Sequence, residues 1–219
     1  MKMSKLALVL AVLPMAAAAQ DPAKVDAGHY KVLVDNDAVR VLRIQVPAGD
    51  KSPMHSHPDA MLVSLADSKA RFTLADGKTQ DSVIGKDTAM YTPATTHSPA
   101  NVGTAPVDAI LVEFKAKEPG KAVVPTQRAG MQINVLAESP RAVAYKVTAA
   151  PDFQEAAGTT HEFDQVVIAL GDAAMDLTVG SKHVTSWKRG DAQFIGRGVA
   201  HASRNAGGKP IEFAIVAIK

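Results

Sequence analysis

His55 and His57 stand two apart in the stretch GDKSPMHSHPDAM, which runs from Gly49 to Met61. In a strand, side chains at i and i+2 leave on the same face, so both imidazoles can point into one interior. His97 opens the segment HSPANVGTAPVDAILVEF and can reach that interior from across the fold. Three neutral imidazoles hold a first-row divalent ion and leave positions open for a substrate. An isolated H-x-H is more simply a polar strand edge; Gly49 before the pair and His97 with Asn101 after it favour the metal reading. The nearest further donors are Asp59 and Met61. Met61 is a soft thioether, poorly matched to iron, manganese or zinc, and packs equally well in a core. The Pro58 turn leaves the direction of Asp59 open.

A thinner set recurs in the second half. In TTHEFDQVVIAL, His161, Phe163 and Gln165 share one strand face while Glu162 and Asp164 share the other. Phe163 takes the place where a histidine would complete a second H-x-H. Which face looks inward is not written in the residues. The pocket expected there combines His161, Gln165 and His201, as a metal remnant or as a ligand-holding barrel without metal. His29 and His183 have no partner at ligand spacing and read as surface positions. Trp187 and Tyr145 read as core.

Strands must position these residues. AVRVLRIQV, AMLVSLA, ARFTLA, DSVIG, AMYT and VDAILVEF are short, rich in β-branched and aromatic residues, and separated by PAGD, ADGK, IGKD and NVGTAP. The second half repeats the pattern with AVAYKVTA, QVVIAL, MDLTVG, HVTSW, AQFIG and IEFAIVAI. The two halves also agree residue by residue: His97/His201, Asn101/Asn205, Gly103/Gly207, Pro106/Pro210 and Lys115/Lys219 all fall at one offset of 104. Two copies of one antiparallel sandwich or barrel domain follow. The expected boundaries are an N-terminal barrel over 28–116, a Pro-, Gly- and Lys-rich connection over 117–131, and a C-terminal barrel over 132–219.

Both halves resemble the cupin family, whose first motif is G-x5-H-x-H-x3/4-E-x6-G and whose second is G-x5-P-x-G-x2-H-x3-N. Gly49, His55 and His57 match the opening of the first motif, and His97 with Asn101 the close of the second. Gly190, Gly196, Gly198, His201 and Asn205 follow the second motif again, with Gly196 where proline is usual. The resemblance implies an all-β chain of two tandem jelly-roll barrels, a bicupin. It also exposes a departure: after three or four intervening residues past His57 the chain has Met61 or Leu62, not glutamate. Three-histidine iron sites of this kind occur in cupin-type dioxygenases acting on thiols, diketones and aromatic acids. An ion held without a carboxylate keeps its double positive charge and attracts an anionic oxygen more strongly.

The expectation is therefore a metal-dependent, dioxygenase-like enzyme acting on a small anionic molecule. Two alternatives stand beside it: a non-catalytic small-ligand-binding bicupin, and a metal-dependent isomerase or decarboxylase, which would want a pocket carboxylate as proton donor. Iron, nickel, manganese and zinc all suit three histidines. No residue is assigned as general acid or base.

The first 19 residues read as a cleaved signal peptide: Lys2 and Lys5, an apolar run from Leu6, then Ala17 and Ala19 in an A-x-A pattern. That run is short for a bilayer span, so no membrane anchor is expected after cleavage, and the compartment is periplasmic or secreted. The chain carries 24 Lys+Arg against 22 Asp+Glu; losing Lys2 and Lys5 leaves 22 of each. With no basic cluster and few aromatics, nucleic acid is an unexpected partner. No cysteine is present, so the core and not disulfides must hold the exported fold. Cupins commonly pair through strand edges, so a homodimer is compatible with the sequence.

Overall fold

The computed structural model describes residues 20–115, 122 and 127–219; the leader over 1–19 and most of the 117–131 connection lie outside them. After a one-turn helix α1 (Pro22–Val25), capped by the Asp21 carboxylate, the described chain is all-β. The first nine strands are β1 (Tyr30–Asp35), β2 (Val39–Val46), β3 (His55–His57), β4 (Ala60–Ser64), β5 (Ser68–Leu74), β6 (Thr79–Ile84), β7 (Ala89–Thr92), β8 (Thr95–Asn101) and β9 (Val107–Phe114). They form two antiparallel sheets, ordered β1-β2-β9-β4-β7 and β3-β8-β5-β6. The second nine are β10 (Met131–Glu138), β11 (Ala142–Ala149), β12 (Gln154–Thr159), β13 (Asp164–Ala169), β14 (Met175–Val179), β15 (Lys182–Val184), β16 (Ala192–Ile195), β17 (His201–Asn205) and β18 (Ile211–Ile218). Their sheets, β10-β11-β18-β13-β16 and β12-β17-β14-β15, repeat the first topology strand for strand.

The two barrels meet through the outer faces of their five-stranded sheets. Val41, Met61, Val63, Ile110 and Val112 pack there against Ala144, Val166, Ile168, Ala214 and Val216, all fully buried. The alternate residues face the barrel interiors, so these sheets are covered on both sides. That is why strands such as AMLVS read as unbroken apolar runs instead of alternating ones. The interface is pinned at one end by Arg189, whose guanidinium donates to the carbonyls of Leu65 and Leu170 and sits 2.9 Å from Asp87. Arg43 in turn donates to the Arg189 carbonyl, 3.1 Å, and forks onto Asp108.

The matching asparagines of the repeat, Asn101 and Asn205, hold equivalent turns. Asn101 donates to the carbonyls of Val46 and Ala105 and accepts from the Gly103 amide. Asn205 donates to Ala150 and Lys209 and accepts from Gly207. Both side chains fasten the last hairpin of their barrel.

Candidate metal centre

Strands β3 and β8 pair with His55 opposite His97 and His57 opposite Thr95. The register brings the three imidazoles to one end of the first barrel's interior, with ligand nitrogens all within 4.8 Å of one another. His55 is fully buried and His57 nearly so. Two of the three rings are fixed by what their far nitrogens touch. His55 Nδ1 lies 2.8 Å from the Pro53 carbonyl, and His57 Nδ1 lies 2.7 Å from Glu113 Oε1.

Those acceptors settle the tautomers. A carbonyl oxygen only accepts, and so does an ionised carboxylate. Burial opposes the charge on Glu113, but hydrogen bonds from His57 and Arg40 and the Arg40 charge outweigh it and hold its carboxyl below the ordinary range. Both Nδ1 atoms therefore carry hydrogen, and each ring turns its Nε2 atom toward the centre. Burial, reinforced by the neighbouring His57, pushes His55 down to about 4. Burial with His57 and His55 pushes His97 down to about 3. Yet the Nε2 atoms of His55 and His57 are only 3.0 Å apart. At that distance the two nitrogens share a cation, either a proton on one ring or a metal ion between them. This donor set fits a divalent transition ion held by His55, His57 and His97 through neutral imidazole nitrogen.

Glu113 orients the site from behind. It is buried on β9 directly opposite Arg40 of β2, with Oε2 2.6 Å from Arg40 Nε, while Arg40 Nη1 reaches Asp21 at 2.7 Å. On the other side Tyr30 places its hydroxyl 3.3 Å from His55 Nε2. Burial raises the Tyr30 hydroxyl well above its ordinary value, which keeps it a donor. Tyr30 also bonds to Ser52, and Ser52 donates to Asp26, which lies 2.9 Å from His29. His29 is largely covered between Asp26 and Asp50, so it belongs to this hydrogen-bonded chain and not to the open surface.

Neither further donor named from the sequence reaches the centre. Asp59 accepts from the Ala94 amide and turns its other oxygen toward Arg141 of the second barrel, 4.0 Å away. Met61 is fully buried on the inter-barrel face beside Val112. The next residue, Leu62, faces inward and lines the cavity before the histidines. Leu62 thus occupies the inward place of the missing glutamate, and Met61 is core. Glu113 lies 56 residues beyond His57 in an apolar strand, so no local spacing announces it. The available signal was charge in strands otherwise built to be buried: Arg40 with Arg43 in β2, and Glu113 with Asp108 in β9.

The second barrel holds a different cluster of Glu155, His161 and His201, with ligand atoms again within 4.8 Å. Strand β17 sets His201 opposite Thr159, as β8 sets His97 opposite His55. Thr159 therefore replaces His55, and His161 stands in the place of His57; Phe163 is not the lost ligand. Phe163 stacks on His161 at 5.3 Å between centroids. The odd-numbered face is the inward one: Phe163 and Val167 join the second core, and Gln165 is buried on that face. Glu155, invisible as a ligand in the sequence, accepts from Ser203 and lies 3.3 Å from His201 Nε2 and 2.5 Å from Arg128. Burial opposes its charge, but His201 and Arg128 hold it down at about 2. The Glu155 bond raises His201, whereas burial lowers His161. Here the carboxylate is matched by His201 and Arg128, while His161 Nε2 stands 4.0 Å from it.

A cavity of about 290 Å³ opens before the first site, walled by both sheets and reached by His57, His97 and Tyr30. Phe72 leans on His97 with centroids 5.2 Å apart.

No protein-family model matches this chain, and no curated protein matches its sequence. Solved structures do. A variant of oxalate decarboxylase from Bacillus subtilis superposes with a TM-score of 0.62 at 12% identity, over 86% of this chain and 71% of that one. Salicylate 1,2-dioxygenase from Pseudoaminobacter salicylatoxidans, as a variant, superposes with a TM-score of 0.61 at 10% identity, over 83% of this chain and 71% of that one. With its duplicated pairs of antiparallel sheets and histidines gathered inside each barrel, the chain has the bicupin fold.

Proposed function

We propose that the first barrel is a metal-dependent oxidoreductase site of dioxygenase type, acting on a small molecule with an anionic end. One observation carries the reading: three inward imidazoles whose ligand nitrogens lie within 4.8 Å of one another, two of them fixed by an acceptor on the far side, with a cavity in front. When bound, the ion supplies a Lewis-acidic, redox-active centre. Glu113 keeps His57 in the ligating tautomer, and the Pro53 carbonyl does the same for His55. Tyr30 offers a hydroxyl proton to an oxygen lodged next to His55. The apolar wall excludes water.

The decarboxylase or isomerase alternative gains less support. No Asp or Glu lines the cavity among the described residues, so a carboxylic proton donor is missing. The likeness to oxalate decarboxylase is one of fold. The histidine cluster of the second barrel is read as a supporting or ligand-holding site, because its carboxylate is already matched by Arg128 and His201. Export to the periplasm or medium, with no nucleic-acid partner, completes the proposal and rests on the leader and the charge balance.

Oxygen consumption by Fe(II)-reconstituted protein, screened against aromatic acids, aliphatic acids and thiols, tests the reading. Uptake that His97→Ala abolishes supports it. Tight binding with no uptake for any compound moves the binding-module reading ahead.

A further inference from the structure

The walls of the first cavity restrict what can enter. Apolar side chains, among them Ile44, Leu62, Leu74, Ile84, Met90 and Leu111, supply most of its lining, and among the described residues no Lys, Arg, Asp or Glu contributes to it. The polar lining is neutral. Asn101 has its amide hydrogens engaged by the Val46 and Ala105 carbonyls, and Gln80, Ser82 and Thr92 carry no charge. Histidine is confined to the end where His57, His97 and Tyr30 meet; the other titratable group of the lining, the Tyr91 hydroxyl, bonds to Asp59 and is raised by burial, so it stays uncharged. A charge placed anywhere else would lose its hydration and gain no counter-ion. A charge at the histidine end would face the bound cation and the Tyr30 hydroxyl.

Volume sets the size. About 290 Å³, set against a share of roughly 30 Å³ for each water in the liquid, accommodates on the order of ten non-hydrogen atoms. From the charge-free wall, the single histidine end and this volume, we propose that the first barrel takes a monoanionic amphiphile. Its one anionic head sits at the three histidines, and an apolar body of several carbons fills the cavity. Short dicarboxylates are excluded. This inference rests on the metal reading above for the head, and on the wall alone for the body.

The test is a chain-length series. Acetate, butyrate, hexanoate and the dianion adipate are titrated calorimetrically into the mature protein, zinc-loaded and metal-free. Burying one methylene strengthens binding about fourfold, so hexanoate is expected to bind zinc-loaded protein roughly two hundredfold more tightly than acetate. Adipate, equal in length, is expected to bind at least tenfold more weakly than hexanoate. Ser82→Lys, which puts a cation in the wall away from the histidine end, is expected to bring adipate level with hexanoate or above it.

The two readings fail differently. A flat series in zinc-loaded protein, or adipate at least equal to hexanoate in the parent, overturns the amphiphile proposal while leaving the metal centre standing. The same steep series with and without zinc upholds the amphiphile and removes the ion from its recognition, which counts against the proposed function. Absence of binding by every member of the series overturns the amphiphile proposal.

Discussion

Glu113→Gln isolates the part of the site that lies farthest from any motif. The parent carboxylate accepts twice: from His57 Nδ1 at 2.7 Å and from Arg40 Nε at 2.6 Å. A glutamine in the same place has one acceptor oxygen and one donor amide. If the oxygen serves Arg40, the amide confronts the His57 Nδ1 hydrogen, and relief requires His57 to move its proton to Nε2, the nitrogen needed for the ion. If the oxygen serves His57, the amide confronts a guanidinium. Loss of an outer-shell partner of this type costs about 10–100-fold in metal affinity, or about 1.4–2.7 kcal/mol. Breaking a buried charge pair costs about 3–5 kcal/mol, and Arg40 keeps Asp21, which places the metal-free variant near 3 kcal/mol below the parent.

The assay is competition for Zn(II) against a chromophoric chelator at pH 7, with urea denaturation of the metal-free protein measured separately. Arg40→Gln is the control: it removes the cation but leaves His57 its acceptor, so stability falls while zinc affinity stays within a few-fold. Glu113→Gln binding zinc within twofold of the parent would refute the reasoning, and Glu113 would be only the counter-ion of Arg40.

Three further outcomes follow from the same geometry. Leu62→Glu restores an inward carboxylate beside the histidines and is expected to tighten Mn(II) binding at least tenfold, read by metal titration; unchanged affinity would mean that position 62 does not reach the ion. Met61→Ala leaves a hole in the inter-barrel core and is expected to cost about 2–5 kcal/mol in urea denaturation without changing metal stoichiometry, whereas loss of metal in a folded variant would return Met61 to the site. His55 and His97, at about 4 and about 3 against an ordinary 6.5, bind protons more readily when unfolded. The metal-free protein should therefore lose stability as pH falls below about 6.5, with His55 contributing up to about 3 kcal/mol by pH 4. Glu113, held below its ordinary 4.5, adds to the loss at the acid end; urea midpoints that hold steady from pH 7 to 4 would contradict this.

Much of the site was legible because it depends on short spacings. His55 and His57 share a face by strand geometry alone, and the offset of 104 ties His97 to His201 through their turn residues. The choice between Met61 and Leu62 was not legible. Alternation tells inside from outside only where one face meets water, and β4 has one face on the cavity and the other on the second barrel. The same covering hid the inward direction of Gln165. Glu113 and Glu155 were missed because a partner brought in by strand pairing leaves no local mark. His161 was misplaced for a related reason: it was counted as the first member of an H-x-H, whereas the pairing of Thr159 with His201 and the offset of 104 from His57 make it the second.

The central claim is that His55, His57 and His97 hold an ion. Metal content by mass spectrometry, on mature protein purified without a histidine tag, tests it beside His55→Ala/His57→Ala and His161→Ala/His201→Ala variants checked for folding. The account predicts a stoichiometric iron, nickel, manganese or zinc that the first variant loses and the second keeps. A folded first variant that retains the parent's metal, or a parent that binds none even after reconstitution, would contradict it.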